Sequence, residues 1–320
     1  MPTPHALEDD YRELALEPGA SLHEVKNSYR QLALFWHPDQ FYNQPGRLPR
    51  AHQKMTRINL AYERIRKALA RATHPRPSPT RATTAGRRPQ EGDRPREVRT
   101  NSLGMKFVSV SGTPVLFSIW ETRVQDYRAY AEAVTGMDVF WKNPGFAQTG
   151  THPVVNVTWD DAKQFCVWLT EKELGKLPVG SQYRLPTDSE WSWAVGIGER
   201  ERAGSPREKG NRLKDQYPWG TQWPPPKGAG NYDPSLGTDN FEHTSPVGSF
   251  AANAQGLFDL GGNVWEWCED FLHGTSGPRV LRGASWNFVG AGHLLSSYRN
   301  GATSDARSSA IGFRCVLASG

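Results

Sequence analysis

Three cysteines, Cys166, Cys268 and Cys315, are the residues of this chain whose type could support thiolate chemistry. A thiolate serves as a nucleophile or a soft metal ligand, but a zinc centre or a disulfide framework needs closely spaced Cys and His pairs. These three lie far apart in the chain, so no metal-thiolate centre is expected. His293 has no Cys, His, Asp or Glu at ligand spacing and reads as a lone surface histidine. The second kind of chemistry is electrostatic. In His37-Pro38-Asp39 the proline fixes the exit from a helix and presents Asp39 as an exposed anion. Lys26 and Arg30, earlier in the same helix, offer cations to an acidic partner surface.

The elements that must position these residues are legible around them. Ser21 and Glu24 make a capping box, after which Val25, Tyr29, Leu32, Ala33 and Trp36 recur at helical spacing. A second stripe, Met55, Ile58, Tyr62, Ile65 and Leu69, predicts a second helix. Residues 40–49, rich in Pro, Asn and Gly, turn the two into an antiparallel hairpin. Residues 73–100 hold seven arginines against three acids, with five prolines and almost nothing apolar, and are expected to be a linker. They supply most of the net charge of +5, so the basic balance marks neither flanking domain as a nucleic-acid binder.

From residue 101 onward the texture changes, with eleven of the twelve tryptophans and short apolar runs broken by Gly, Pro, Asn and Asp. This predicts a loop-rich α+β domain over residues 101–320, behind a helical domain over 1–72. Helices are expected to start at Thr158, with Asp161 three residues on, and at Thr187, with Glu190. Residues 154–157 and 280–281 read as short buried strands. No apolar run reaches the ~20 residues that span a bilayer. The start of the chain is acidic where a signal peptide would be basic and apolar, so a cytoplasmic location without membrane contact is expected.

The hairpin carrying His37-Pro38-Asp39, with Asp10-Tyr11, Tyr29-Arg30, Leu32-Ala33-Leu34, Asn59 and Ala61-Tyr62-Glu63 around it, resembles a J domain. The resemblance implies engagement of a DnaK-type chaperone through His37, Pro38, Asp39, Lys26 and Arg30. It leaves open whether that contact stimulates hydrolysis or only docks.

The remainder resembles the formylglycine-generating enzyme (sulfatase-modifying factor) family from Asn101-Ser102-Leu103-Gly104-Met105 to Gly312-Phe313-Arg314. Between these ends stand His152-Pro153-Val154, Tyr183-Arg184-Leu185-Pro186-Thr187, Tyr217-Pro218-Trp219-Gly220, Gly262-Asn263-Val264-Trp265-Glu266-Trp267 and Arg282-Gly283-Ala284-Ser285-Trp286. The resemblance implies that family's variant of the C-type lectin fold. The family's oxidases hold copper with two cysteines in the stretch corresponding to 287–294, which here contains none, so no copper and no enzyme activity are expected. The resemblance implies two structural calcium sites, one from Asn231, Tyr232, Asp239 and Phe241, the other from Asp259, Gly262, Val264 and Glu266. It also places Cys166 and Cys315 at positions that can pair, where proximity without a bond is expected in a reducing cytoplasm.

Residues 288–310 read FVGAGHLLSSYRNGATSDARSSA, without Lys, Glu, Gln, Met or Trp. Every residue type in the stretch is reachable from an asparagine AAC codon by changing only its two adenines. The arrangement resembles variable proteins of diversity-generating retroelements, whose last segment is rewritten at adenines before a Gly-Phe-Arg ending. The implied ligand-binding positions are Trp286, Phe288, Val289, Gly292, His293, Tyr298, Gly301, Ala306, Ser308 and Ala310, on a scaffold of Arg282, Arg299, Arg307 and Arg314. The reading is a non-catalytic ligand-display protein, its ligand a protein or a small molecule, coupled to a chaperone-recruiting J domain. A co-chaperone with a client-binding arm and a divergent oxidase are the alternatives.

Overall fold

The computed structural model describes residues 7–22, 24–26, 28, 29, 32, 54, 57, 58, 60–62, 64–66, 68, 69 and 98–319. The chain divides into two compact units, Met1–Pro89 and Gln90–Gly320. In the first, helix α1 spans Glu8–Glu13 and turns Tyr11 inward. Residues 22, 24–26, 28, 29 and 32 are helical, as are 54, 57, 58, 60–62, 64–66, 68 and 69. Ser21 and Glu24 close their box, with the Ser21 N–H donating to Glu24 Oε2 at 2.8 Å and the Glu24 N–H to Ser21 Oγ at 3.3 Å. Val25, Ile58, Ala61 and Ile65 bury with Tyr11 and Leu14, and Tyr29 stacks on Tyr62 with ring centroids 4.2 Å apart. Val25 and Tyr29 come from the first expected stripe, and Ile58, Tyr62 and Ile65 from the second. Lys54 pairs with Glu13 at 2.6 Å across the unit. Lys26 is helical and half-buried, while Arg30, His37, Pro38 and Asp39 lie outside the described residues, as does the loop 40–49.

The second unit is built on two small sheets. Strands β1 (Val98–Thr100), β2 (Lys106–Ser109), β3 (Val115–Ser118), β4 (Gln182–Arg184) and β9 (Val316–Ala318) form the first, in the antiparallel order β1-β2-β3-β9-β4. Strands β5 (Trp265–Phe271), β6 (Arg279–Arg282), β7 (Asn300–Ala302) and β8 (Ile311–Gly312) form the second, in the order β7-β6-β5-β8. Helices α2 (Val124–Ala133), α3 (Trp159–Lys172) and α4 (Asp188–Ala194) complete the α+β architecture.

Both capping signals work as read. Thr158 Oγ1 accepts the Asp161 N–H and Asp161 returns the bond, and Thr187 with Glu190 does the same ahead of α4. Helix α2 has a subtler start: Arg123 stands at the N-cap, and Asp126 accepts from its N–H and its guanidinium. Two expectations need correction. The linker was expected to run to Thr100, yet Val98, Arg99 and Thr100 pair with Val108, Phe107 and Lys106 as β1, their β-branched ends suiting an edge strand. Residues 154–157 are buried as predicted at Val154, Val155 and Val157, but they are not a strand. Asn156 sits at φ 57°, which breaks an extended run, and its amide bonds the Phe140 and Asn143 carbonyls.

Candidate functional site

Three buried arginines and the half-buried Arg307 hold the segment that follows β6. Arg282, fully buried, donates from Nη1 to the Asp188 carboxylate and to Ser192 Oγ, and from Nη2 to the Ser296 carbonyl at 2.9 Å, while its guanidinium lies over Trp191. Arg299 grips the same carboxylate through Nε and Nη2, each at 3.0 Å, and takes Glu201 with its other face. Burial raises the Asp188 pKa, but the Arg282 and Arg299 charges outweigh it and hold the group below its usual range. Arg307 bonds Asp161 at 2.6 Å and Asp138, and its Nη1 donates to the Asn156 carbonyl. Arg314 takes both oxygens of Glu266, at 2.6 and 2.7 Å, with neither side chain exposed. The backbone from 282 to 314 is therefore pinned from below.

On this frame several candidate ligand-binding residues gather as aromatic rings. Phe288 meets Trp265 edge to face at 5.0 Å, His293 meets Phe288 at 5.7 Å and Tyr298 at 5.0 Å, and Tyr298 closes on Trp265 at 5.9 Å. Rings this close touch one another, so the group presents a continuous aromatic wall and not a cage around a guest. Trp265 is the buried floor, only 2% exposed, while Phe288 and Tyr298 are half-buried and His293 is exposed. Trp286 belongs to a neighbouring group, 5.7 Å from Phe146 and 4.8 Å from His243, with its indole N–H donating to the Ser309 carbonyl.

The small residues divide. Gly292 is exposed and a Cβ there would meet nothing within 4 Å, and Val289 is half-buried beside the wall in sequence. Gly301 does not join the rings: it pairs with Val280 in β7, where a Cβ would stand 2.8 Å from Leu272. Ala310 is 5% exposed and offers no side chain to a ligand, because its carbonyl takes the Trp265 N–H inside the domain. Ser308 and Ala306 line the return run, Ser308 accepting the Asn156 N–H and Ala306 packing on the main core.

The implied calcium positions differ in how well they fit an ion. In the first set Asn231 is buried, its Nδ2 donates to the His243 carbonyl and Asn263 Oδ1, and its Oδ1 has no partner among the described residues. An orphaned buried oxygen is costly unless something accepts it, and a hard cation does. Asp239 lies within the same loop system, receiving the Tyr232 and Phe241 N–H groups. In the second set both Glu266 oxygens are already engaged by Arg314, with Trp191 Nε1 adding a bond at 2.9 Å. Burial pushes the Asp259 pKa up to about 6, against the Gly248 N–H and Arg314, which lower it. Burial, reinforced by Asp259 and Glu266, also pushes the Glu121 carboxyl well up. The two sets touch at Gly262, where φ is +83° and a Cβ would fall 2.2 Å from the Asn231 carbonyl. Among the described residues no three His, Cys, Asp or Glu side chains form a metal-binding group, so a cation here depends on carbonyls as well.

Trp265, Phe146, His243 and Asn263 are the members of this region that sequence reasoning misses. Trp265 and Asn263 sit inside a motif block and were readable there, whereas Phe146 and His243 lie in separate loops and carry no local signal. The three cysteines are buried, with Cys166 and Cys315 sulfurs 3.6 Å apart. Among the described residues no helix is long and apolar enough to cross a membrane.

Comparison with known proteins places both units. The model of the sulfatase-modifying factor enzyme 1-like domain matches residues 85–319, and that of the DnaJ domain residues 9–79. The chain is 35% identical over 203 residues to the inactive C-alpha-formylglycine-generating enzyme 2 of Bos taurus, covering 57% of this chain and 57% of that protein. It is 31% identical over 212 residues to the formylglycine-generating enzyme of Thermomonospora curvata, covering 55% of this chain and 61% of that one. The match thus spans little more than half the length of these relatives. PvdO from Pseudomonas aeruginosa shares the fold, with a TM-score of 0.52 at 24% identity over 71% of this chain and 99% of that chain. With its motif blocks, its two sheets and the match over 85–319 in agreement, the chain belongs to the sulfatase-modifying factor enzyme 1-like family and carries a DnaJ domain ahead of that fold.

Proposed function

We propose that the C-terminal unit is a non-catalytic ligand-binding domain, its recognition surface formed by residues 286–308, and that the DnaJ domain couples it to a DnaK-type chaperone in the cytoplasm. The carrying observation is the aromatic wall of Phe288, His293 and Tyr298 on Trp265, mounted on a backbone that buried arginines hold still. A rigid frame with exchangeable surface side chains suits binding, and function on such a fold resides in the grafted site. Residues 287–294 offer no thiolate for copper, and the similarity to a relative named inactive supports the same reading.

The composition of residues 288–310 supports rewriting of that surface at adenines, as in retroelement variable proteins. A near-copy of these codons beside the gene, together with a reverse transcriptase gene, is the expected finding; a gene neighbourhood with neither overturns this part. For binding itself, two libraries are compared on the intact chain, one randomised at 288, 289, 292, 293 and 298, the other at exposed positions of α3. Binders to a panel of purified proteins should emerge from the first alone. Equal yield from both libraries sinks the reading, and copper-dependent turnover of a Cys-containing peptide would restore the oxidase.

A calcium ion held by Asn231 and Asp239, with the Tyr232 and Phe241 carbonyls, would supply structural clamping of irregular loops. The DnaJ match favours a second reading, in which the ligand is an unfolded client handed to the chaperone. Stimulation of a DnaK-type ATPase by the chain, lost in Asp39→Asn and enhanced by an unfolded client, would support it; an ATPase indifferent to the chain excludes it.

A further inference from the structure

We infer that the C-terminal unit holds, apart from the aromatic wall, a fixed pocket that takes a carboxylate carried on an apolar or aromatic body. The cavity, about 350 Å³, lies between the first turns of α2 and the 3-10 turn Phe140–Lys142 with the loop after it. Its walls are Val124 and Arg128 from α2, with Trp141, Lys142, Pro144 and Phe146 opposite. This volume is at the low end of ligand pockets, roughly 300 to 1,000 Å³, and suits one amino-acid-sized group.

Charge selects the ligand's sign. Arg128 and Lys142 both line the cavity, and neither has a carboxylate within ion-pairing distance among the described residues. Lys142 lies by the Trp141 ring, 5.4 Å from its ammonium nitrogen. Two uncompensated cations facing one small cavity attract an anion and repel a cation. The backbone at the start of α2 is no competitor for it, since the Val124 and Gln125 N–H groups already donate to the His152 and Gly150 carbonyls. Side chains must therefore do the holding, and Arg is suited to a carboxylate through its paired donors.

The remaining walls select the body. Val124, Trp141, Pro144 and Phe146 add apolar faces to a mixed lining, which a bare inorganic anion would leave wet. The lining is also rigid: Trp141 is 3% exposed, and Phe146 stacks on His243 at 4.3 Å and meets Trp286 edge to face at 5.7 Å. Gln148, the last wall, spends both amide hydrogens on the Pro153 carbonyl and Thr244 Oγ1. Through Phe146 the pocket adjoins Trp286, but none of its walls comes from residues 288–310, so it stays constant however that segment changes.

The test titrates the full chain with N-acetylphenylalanine, its amide and inorganic phosphate, followed by calorimetry and tryptophan fluorescence at low salt. The acid should bind about tenfold or more tighter than the amide and than phosphate. Arg128→Glu with Lys142→Glu, both exposed positions, should abolish that preference with the circular dichroism spectrum unchanged, while the exposed Lys106→Glu should retain it. Equal binding of acid and amide, phosphate binding as tight as the acid, no binding of any probe, or a preference surviving the double charge reversal would each overturn the inference. Replacing Phe288 and His293 with alanine should leave the titration unchanged, so failure of the ligand-display reading and failure of this pocket are separable.

Discussion

At the scale of single residues, the segment after β6 contains positions with opposite tolerance. Gly292 faces open space and Gly301 faces Leu272 and Pro278, although both are glycines in a stretch of uniform composition. Gly292→Tyr should change unfolding free energy by no more than about 0.5 kcal/mol, whereas Gly301→Tyr should cost about 1 to 3 kcal/mol by overpacking. Chemical denaturation of the two variants checks this, and equal losses would place both on the same kind of surface. Asp188 is the hub below: it neutralises Arg282 and Arg299 at once, both essentially without exposure. Asp188→Asn leaves two buried guanidinium groups underpaired and should cost about 3 to 5 kcal/mol in the same assay. These residue-level distinctions depend on which neighbour each Cα meets, which composition does not report.

At the scale of elements, the local signals are reliable because they are local. Thr158 with Asp161 and Thr187 with Glu190 announce helices that the structure contains, since a capping box is completed within four residues. Thr158→Ala should lower stability by about 1 kcal/mol in thermal or denaturant unfolding. Asp161→Ala should cost more than that, because the carboxylate that accepts the Thr158 N–H also receives Arg307 and so ties α3 to the segment after β6. Where signals are non-local they mislead. The buried run 154–157 satisfies a strand pattern, yet burial alone does not make a ladder, and Asn156 turns the chain aside. Helix α2 is missed because its cap is an arginine bonded to Asp126, which no common capping pattern lists. The aromatic groups after β6 show the same division: Phe288, His293 and Tyr298 are flagged by their segment, while Phe146 and His243 reach Trp286 only through folding. His152, just before the run 154–157, sits against Thr244 with its Nδ1 3.0 Å from Oγ1. Burial lowers its pKa from the ordinary 6.5, so the folded state disfavours its protonation. Its contribution is complete above pH 6.5 and is lost as pH falls through that value toward the folded pKa. Asp259 and Glu121, raised by burial, pull the other way in this range, so the His152 share is read as a difference: between about pH 7.5 and about pH 5.5 the parent's denaturation midpoint should fall relative to that of His152→Gln.

At the scale of the whole molecule, most residues of the C-terminal unit lie outside strands and helices, and their order needs clamps other than backbone ladders. The orphaned Asn231 oxygen and the adjoining Gly262 turn mark where one clamp would act. Millimolar calcium should raise the melting temperature of the intact chain and a chelator should lower it, with Asn231→Ala abolishing the difference. A chelator without effect on the parent chain would remove calcium from the account.

The position of β9 has a consequence for biosynthesis. It is made after the other eight described strands of this unit, yet it lies between β3 and β4 and, among the described residues, is the strand that joins them. Until residues 316–318 arrive, two strands made much earlier stand with bare edges, and bare edges recruit other chains. A substitution in the segment just upstream therefore also acts during synthesis: it has to let β9 slot home before a neighbouring nascent chain does.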